Sequence, residues 1–140
     1  MIVAVARRGT PVPAGFDRIL WIRKAGEETE CTRQALEDAA RRIVAVGGDG
    51  FLRNAAAAFF DGRRNVFPER ALAIVPAGTG NDVALMLRIP NEPHRAAQVA
   101  RNGFEVAYDV AFAGDRLFLN IAQVGVGAAA VRAANAWGKR

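Results

Sequence analysis

The 140-residue chain is 51% hydrophobic and 24% charged, a balance that suits one packed domain and excludes a disordered or fibrous chain. Its net charge of +5 fits an Arg-rich solvated surface, a phosphate-bearing ligand or an anionic membrane surface, but no basic run is long enough to form a nucleic-acid-binding tail. With Cys31 the single cysteine and His94 the single histidine, an internal disulfide and a cysteine zinc cluster are excluded, and any His-dependent triad would run through His94.

MIVAV, bounded by Arg7, Arg8 and Gly9, reads as a buried first strand. RGTPVPAG is a loop in which Pro11 and Pro13 exclude regular structure. A second strand is expected over Arg18 to Arg23. EETECTRQALEDAARR predicts a helix with Glu27 and Glu28 in its first turn and Arg41 and Arg42 in its last, as the helix dipole favours. IVAV is a third strand, and FLRNAAAAFFDG predicts an Ala-rich helix stopped by Gly62. RALAIVP is a fourth strand. GTGND is a tight loop, and DVALMLRI a short helix ended by Pro90. EPHRAAQVARNG is a helix with Pro93 near its start and Gly103 at its end; His94, beside Pro93, reads as a surface residue there.

This alternation predicts an α/β fold, a three-layer parallel sheet with helices on both faces. From Phe104 the pattern changes. FEVAYDVAFAGDRLFLNIAQVGVG predicts an antiparallel hairpin turning at Gly114-Asp115, and AAAVRAANAW a closing helix. The expected organisation is an α/β domain over 1–103 and the incomplete start of a β-rich second domain over 104–140. Two strands alone are marginal, so a second copy of the chain or a further segment is expected to cover the hairpin from Phe104 to Val126, and a homo-oligomer is expected. The N-terminus lacks a basic segment followed by a long apolar one, and no apolar run approaches the roughly 18 residues of a membrane span. The expected location is cytoplasmic.

Two loops carry the chemistry. Gly47, Gly48, Asp49 and Gly50 follow the third strand and open a helix. Glycines there let backbone N–H groups approach a ligand, and a helix start suits phosphate. Asp49 would repel bare phosphate; it fits Mg²⁺, a ribose or phosphate-bound water. A plain tight turn is the competing reading. PAGTGND repeats the arrangement one strand later, with Gly78, Thr79, Gly80, Asn81 and Asp82. Thr79 offers a hydroxyl, while Asn81 and Asp82 are also explained by helix capping. Both loops fall at carboxyl ends of strands in one parallel sheet, where open α/β sheets bind ligands. Gly125, Gly127 and Ala130 match the dinucleotide fingerprint, but they follow an antiparallel strand and lack room for the acidic partner, so close packing explains them better.

GGDG followed by PAGTGND resembles the diacylglycerol kinase catalytic domain, a family that includes bacterial lipid kinases and, more distantly, sphingosine kinases and NAD kinases. Leu52, Pro76, Ala84, Ile89-Pro90, Asp109, Phe118, Asn120 and Gly125 extend the match. The resemblance implies an ATP- and Mg²⁺-dependent kinase that phosphorylates a lipid hydroxyl and works at a membrane surface. Gly47, Gly48, Asp49, Gly50, Phe51, Gly78, Thr79, Gly80, Asn81 and Asp82 would line its nucleotide cleft, with Asp49 and Asp82 toward metal. No general base is assigned; Asp49, Asp82 and Asp109 are the in-chain carboxylates considered. Four features depart from the family. Phe51 stands where Thr is usual, and Arg53-Asn54 where Asn-Glu is usual, with Arg53 offering positive charge. VAVARRGTPVPAG replaces an Asn-Pro-x-Ser-Gly loop and helix. The family also carries a further β-sandwich domain that supplies the catalytic base, and only its beginning is expected in these residues; in addition, Gly127 stands where Asp is frequent. A non-catalytic nucleotide-binding module and a NAD-kinase-like enzyme are the alternatives.

Overall fold

The computed structural model describes residues 1–121. Twelve elements follow in chain order: β1 (Ile2–Arg7), β2 (Arg18–Ile22), α1 (Glu28–Glu37), β3 (Arg42–Gly47), α2 (Asp49–Ala57), β4 (Phe60–Asp61), β5 (Arg64–Asn65), β6 (Ala71–Pro76), α3 (Asp82–Met86), α4 (Pro93–Asn102), β7 (Ala111–Ala113) and β8 (Arg116–Phe118). The main sheet runs β2-β1-β3-β6, every pair parallel. The expected α/β fold is therefore observed.

Alternation along the strands builds the layers. Val3, Val5 and Ile43 face Ala35 and Leu36 of α1 and Phe59 beyond α2. Ala4, Ala6, Val44, Val46 and Val75 face Ala96, Ala97 and Ala100 of α4. Small residues on both sides of this second interface let α4 lie close to the sheet. The connection from β1 to β2 contains no helix. Fully extended, residues 8–17 reach roughly 35 Å, more than the roughly 20 Å length of a six-residue strand. A bare loop therefore suffices, and its Val12 and Phe16 pack onto the same face as α4.

α4 runs from Pro93 to Asn102 with Gly103 at its C-cap, as expected, but ends of the other helices depart from expectation. α1 stops at Glu37, so Arg41 and Arg42 are not in its last turn. Ala39 adopts φ +65° and the Ala40 N–H donates to the Ala35 carbonyl at 3.0 Å, a left-handed stop made without glycine. α3 ends the same way: Arg88 takes φ +55° and the Ile89 N–H donates to Ala84 O at 2.9 Å, ahead of Pro90. α2 begins at Asp49, earlier than expected, and ends at Ala57. Gly62, at φ +58°, turns the β4–β5 hairpin instead of stopping that helix. The hairpin after α4 is antiparallel and turns at Gly114, as expected, but pairs only β7 with β8. The expected closing helix and the Gly125, Gly127, Ala130 pattern lie outside the described residues.

Arg42 complements a helix dipole after all, at the end of α4. Its half-buried guanidinium donates to the carbonyls of Ala100 (2.8 Å), Arg101 (2.9 Å) and Gly103 (3.4 Å), and to Glu105 Oε1 (2.9 Å). The Arg42 bond and charge hold the Glu105 carboxyl below its ordinary value. One side chain thus fastens both the helix end and the start of the following segment to β3. Arg42→Ala is expected to lower the unfolding free energy by about 2 kcal/mol, because several carbonyls lose one charged donor. Glu105→Gln, at the exposed end of the network, is expected to shift the urea midpoint less. Urea unfolding of the two variants checks the order; equal shifts would locate the stabilisation in the ion pair rather than in the carbonyl bonds.

Candidate functional site

The two glycine loops meet at the carboxyl edge of the sheet. Gly47 pairs with Pro76 at the ends of β3 and β6, and the Ala77 N–H donates to the Gly47 carbonyl at 3.0 Å. Gly48 and Gly78 then touch backbone to backbone. A Cβ on Gly48 would stand 3.0 Å from the Gly78 Cα, and one on Gly78 would collide with the Gly48 Cα. A Cβ on Gly47 would meet Phe51 Cγ at 2.6 Å, so Phe51 lies directly over that glycine. Gly50 has open space around it, and Gly80 makes only ordinary contact with the Asp49 and Asp82 carboxylates. Close packing therefore requires Gly47, Gly48 and Gly78 to be glycine, but not the other two.

Asp49 locks the loops together. Its Oδ2 accepts the Asp82 N–H at 3.0 Å and its Oδ1 the Val83 N–H at 3.1 Å. The carboxylate in the first turn of α2 thereby caps α3. Asn81 stands at the N-cap position of α3 at φ +57°, but its side chain makes no cap bond. It closes its own loop instead: Oδ1 accepts from Gly78 N at 3.0 Å and Nδ2 donates to Gly78 O at 2.9 Å. Thr79 is exposed at the tip. The N-cap of α2 is Gly48, with no side-chain cap bond at that helix end, so its first-turn N–H groups remain available to a ligand.

A cavity of about 230 Å³ opens beside these amides, lined by Arg7, Thr10, Gly47, Gly48, Gly50 and Phe51 among others. Its volume is below the roughly 300 Å³ lower end of whole-ligand pockets and matches one end of a nucleotide better than all of it. A larger cavity of about 680 Å³ lies by the β6 edge, between Leu72 and Ile74 and the segment carrying Tyr108 and Leu119, away from the loops.

Sequence patterning missed a charged network beside the small cavity. Glu28 is only 2% exposed. Its Oε1 accepts from Arg7 Nη2 at 3.0 Å, and its Oε2 from the Gly26 N–H at 2.7 Å and Asn54 Nδ2 at 3.4 Å. Arg53 in turn donates to Asn54 Oδ1 at 2.8 Å. Arg53 and Asn54 thus serve the α1–α2 interface. The only available signal was Glu28 itself, whose place in a first helical turn is explained equally by the dipole. Burial pushes the Glu28 carboxyl up, but bonds from the Glu28 and Gly26 N–H groups, Arg7 and Asn54 outweigh it and hold the carboxyl below its ordinary value of 4.5.

Asp49 and Asp82 are the carboxylates at the loop junction, and among the described residues no three His, Cys, Asp or Glu side chains cluster as a metal site. Two carboxylates suit Mg²⁺, which takes few protein ligands and completes its shell with water and substrate phosphates.

The diacylglycerol kinase catalytic domain model matches residues 14–113. A relative from Pseudomonas putida, "Probable lipid kinase YegS-like", is 38% identical over 110 residues, covering 79% of this chain and 35% of the relative. One from Chromohalobacter salexigens, with the same description, is 34% identical over 111 residues, covering 79% and 34%. The chain spans about a third of the length of the curated relatives it matches. A solved diacylglycerol kinase structure from Bacillus anthracis superposes with a TM-score of 0.68 at 23% identity, over 85% of this chain and 45% of that one.

Two outcomes test this geometry. Asp49→Ala is expected to remove about 1 kcal/mol of α3 capping and to speed hydrogen exchange at the Asp82 and Val83 amides while leaving the α1 amides unchanged. Exchange that stays as in the parent chain would refute the cross-loop cap. Because Glu28 is held below its ordinary value, its share of stability is complete above roughly pH 4.5 and declines as pH falls through the depressed folded-state value. Glu28→Gln should flatten the acid limb of the stability curve in that window.

Proposed function

The chain belongs to the diacylglycerol kinase catalytic domain family, and on that basis we propose that residues 1–103 form the ATP-binding domain of a lipid kinase that passes the γ-phosphate to a lipid hydroxyl. The observation that carries this reading is the pairing of the two loops by Asp49 beside the uncapped start of α2. Backbone N–H groups of Gly48, Gly50 and Phe51 take the phosphate end, aided by the positive end of the helix dipole. Thr79 and the Gly78–Gly80 backbone form the opposite wall. Asp82 and the outer face of Asp49 hold Mg²⁺, which when bound neutralises phosphate charge. Catalysis of this kind is positioning plus electrostatic stabilisation, and both loops sit on rigid strand ends that supply it.

Residues from 104 onward begin the second, β-rich unit in this reading, which provides the acceptor side of the cleft. Exposed Phe104, Val106 and Ile121 support its being covered by further protein, a second copy included, and exposed Leu85 and Met86 on α3 support working against a lipid surface. No helix among the described residues is long and apolar enough to cross a membrane. One observation favours a second reading, a nucleotide-binding module without turnover: Phe51 places a ring in the cavity wall where a hydroxyl would otherwise face phosphate.

Gly50→Asp separates binding from folding. The position is exposed and sterically open, and an acidic residue in a first helical turn favours the helix. The variant is expected to fold as well as the parent chain yet bind Mg²⁺–ATP roughly tenfold more weakly, because a carboxylate then faces the phosphate-binding amides. Calorimetric titration reads the affinity, and unchanged binding would overturn the site. Phosphate transfer to diacylglycerol, with radiolabelled ATP, then separates a kinase from a silent module.

A further inference from the structure

The Arg7–Glu28 pair is built in a way that a purely structural ion pair does not need. Glu28 is buried, and all its recorded bonds are made inside the protein. Arg7 lines the loop cavity, and its side chain is 55% exposed. Register explains the placement: Ala6 pairs with Val46, so Arg7, the last residue of β1, stands next to Gly47 and the phosphate-facing loop. The Thr10 N–H donates to the Arg7 carbonyl at 3.0 Å, a tight turn that brings Thr10 to the same cavity. Glu28 engages Nη2 alone. Among the described residues the other guanidinium N–H groups have no hydrogen-bond partner, which suits a second, planar acceptor.

We propose that Arg7, oriented by the buried Glu28 carboxylate, binds the phosphate chain of the nucleotide at the mouth of the loop cavity, with Glu28 as its positioning residue. The inference rests on the nucleotide reading above and adds the side chain that this reading lacks. Without Arg7 no cationic side chain lines the cavity among the described residues, and the Asp49 and Asp82 carboxylates lie together beside Gly80. A guanidinium offsets that charge and recognises phosphate oxygens two at a time. The Glu28 bond fixes its direction in advance, so less side-chain freedom is lost on binding. Asn54 and Arg53 extend the same arrangement back into α2, tying Arg7 to the helix whose first turn meets the phosphates.

The test titrates inorganic tripolyphosphate and Mg²⁺–ATP separately into the parent chain, Arg7→Ala, Arg7→Lys and Glu28→Gln. The Arg7 Nε–Hε resonance of the parent chain is followed by NMR. Arg7→Ala is expected to weaken both ligands roughly tenfold or more, Arg7→Lys less because it keeps the charge but not the fork, and Glu28→Gln severalfold. The Arg7 resonance is expected to shift on adding tripolyphosphate. Affinities unchanged in Arg7→Ala, with the parent chain binding ATP, would overturn the role of Arg7 and leave the nucleotide site standing. Tripolyphosphate bound through Arg7 as tightly as ATP would uphold Arg7 as a phosphate ligand and overturn the nucleotide reading. Binding of neither ligand overturns both. If Arg7→Ala does not fold, Arg7→Lys and the Arg7 resonance decide; an unmoved resonance at saturating tripolyphosphate overturns the proposal.

Discussion

The site depends on one carboxylate. Asp49 leaves the first turn of α2 and accepts the first two N–H groups of α3, 33 and 34 residues further along the chain. Without that bridge, the two strand-to-helix turns would be related only through the sheet pairing that ends at Gly47 and Pro76. With it, the backbone contact of Gly48 with Gly78 becomes the closest approach of two tethered loops. The bond from Ala77 N–H to the Gly47 carbonyl continues the sheet pairing right up to that contact. Rigidity here is inexpensive in entropy, because each tether acts on residues that the strand ends already hold in place.

Asp49 also makes the two loops unequal. The first amides of α3 are occupied by its oxygens, and Asn81 turns back onto Gly78. The first turn of α2 has no side-chain cap. Among the described residues the β3–α2 side thus keeps uncapped N–H donors, while those on the β6–α3 side are taken up within the two loops. The similarity of the two motifs in sequence conceals this division, since each offers glycines, a polar residue and an aspartate.

Much of this arrangement was legible in the residues. The apolar runs at Ile2, Ile43 and Ala71 gave β1, β3 and β6, and alternation with helical stretches implied the parallel sheet and the loops at its carboxyl edge. Steric need then separates glycines that the motif treats alike: Gly47, Gly48 and Gly78 have no room for a side chain, whereas Gly50 and Gly80 do. The ends of α4 were legible from Pro93 and Gly103, but those of α1 and α3 were not, because Ala39 and Arg88 take left-handed conformations that residue type disfavours and surrounding packing enforces. Arg42 was legible as a dipole partner but not as the partner of a helix 58 residues away. Charge patterning sees neighbours along the chain, and these contacts are made across the sheet.

The same limit accounts for the residues at which the chain departs from its family. Phe51, Arg53 and Asn54 look like losses when each position is weighed alone. In the structure Asn54 and Arg53 belong to one connected chain of bonds that ends on Arg7, and its central member, Glu28, comes from a different helix. Glu28 can be buried only because several donors converge on it, so these residues stand or fall as a set. Phe51 fits the same scheme: its ring closes over Gly47 and joins the apolar layers on both sides of α2, while Thr10, in the turn after β1, also lines the cavity. Beside the loop glycines and Phe51, the cavity is thus bordered by residues from the end of β1 and the turn after it, and the strand register is what places Arg7 beside Gly47.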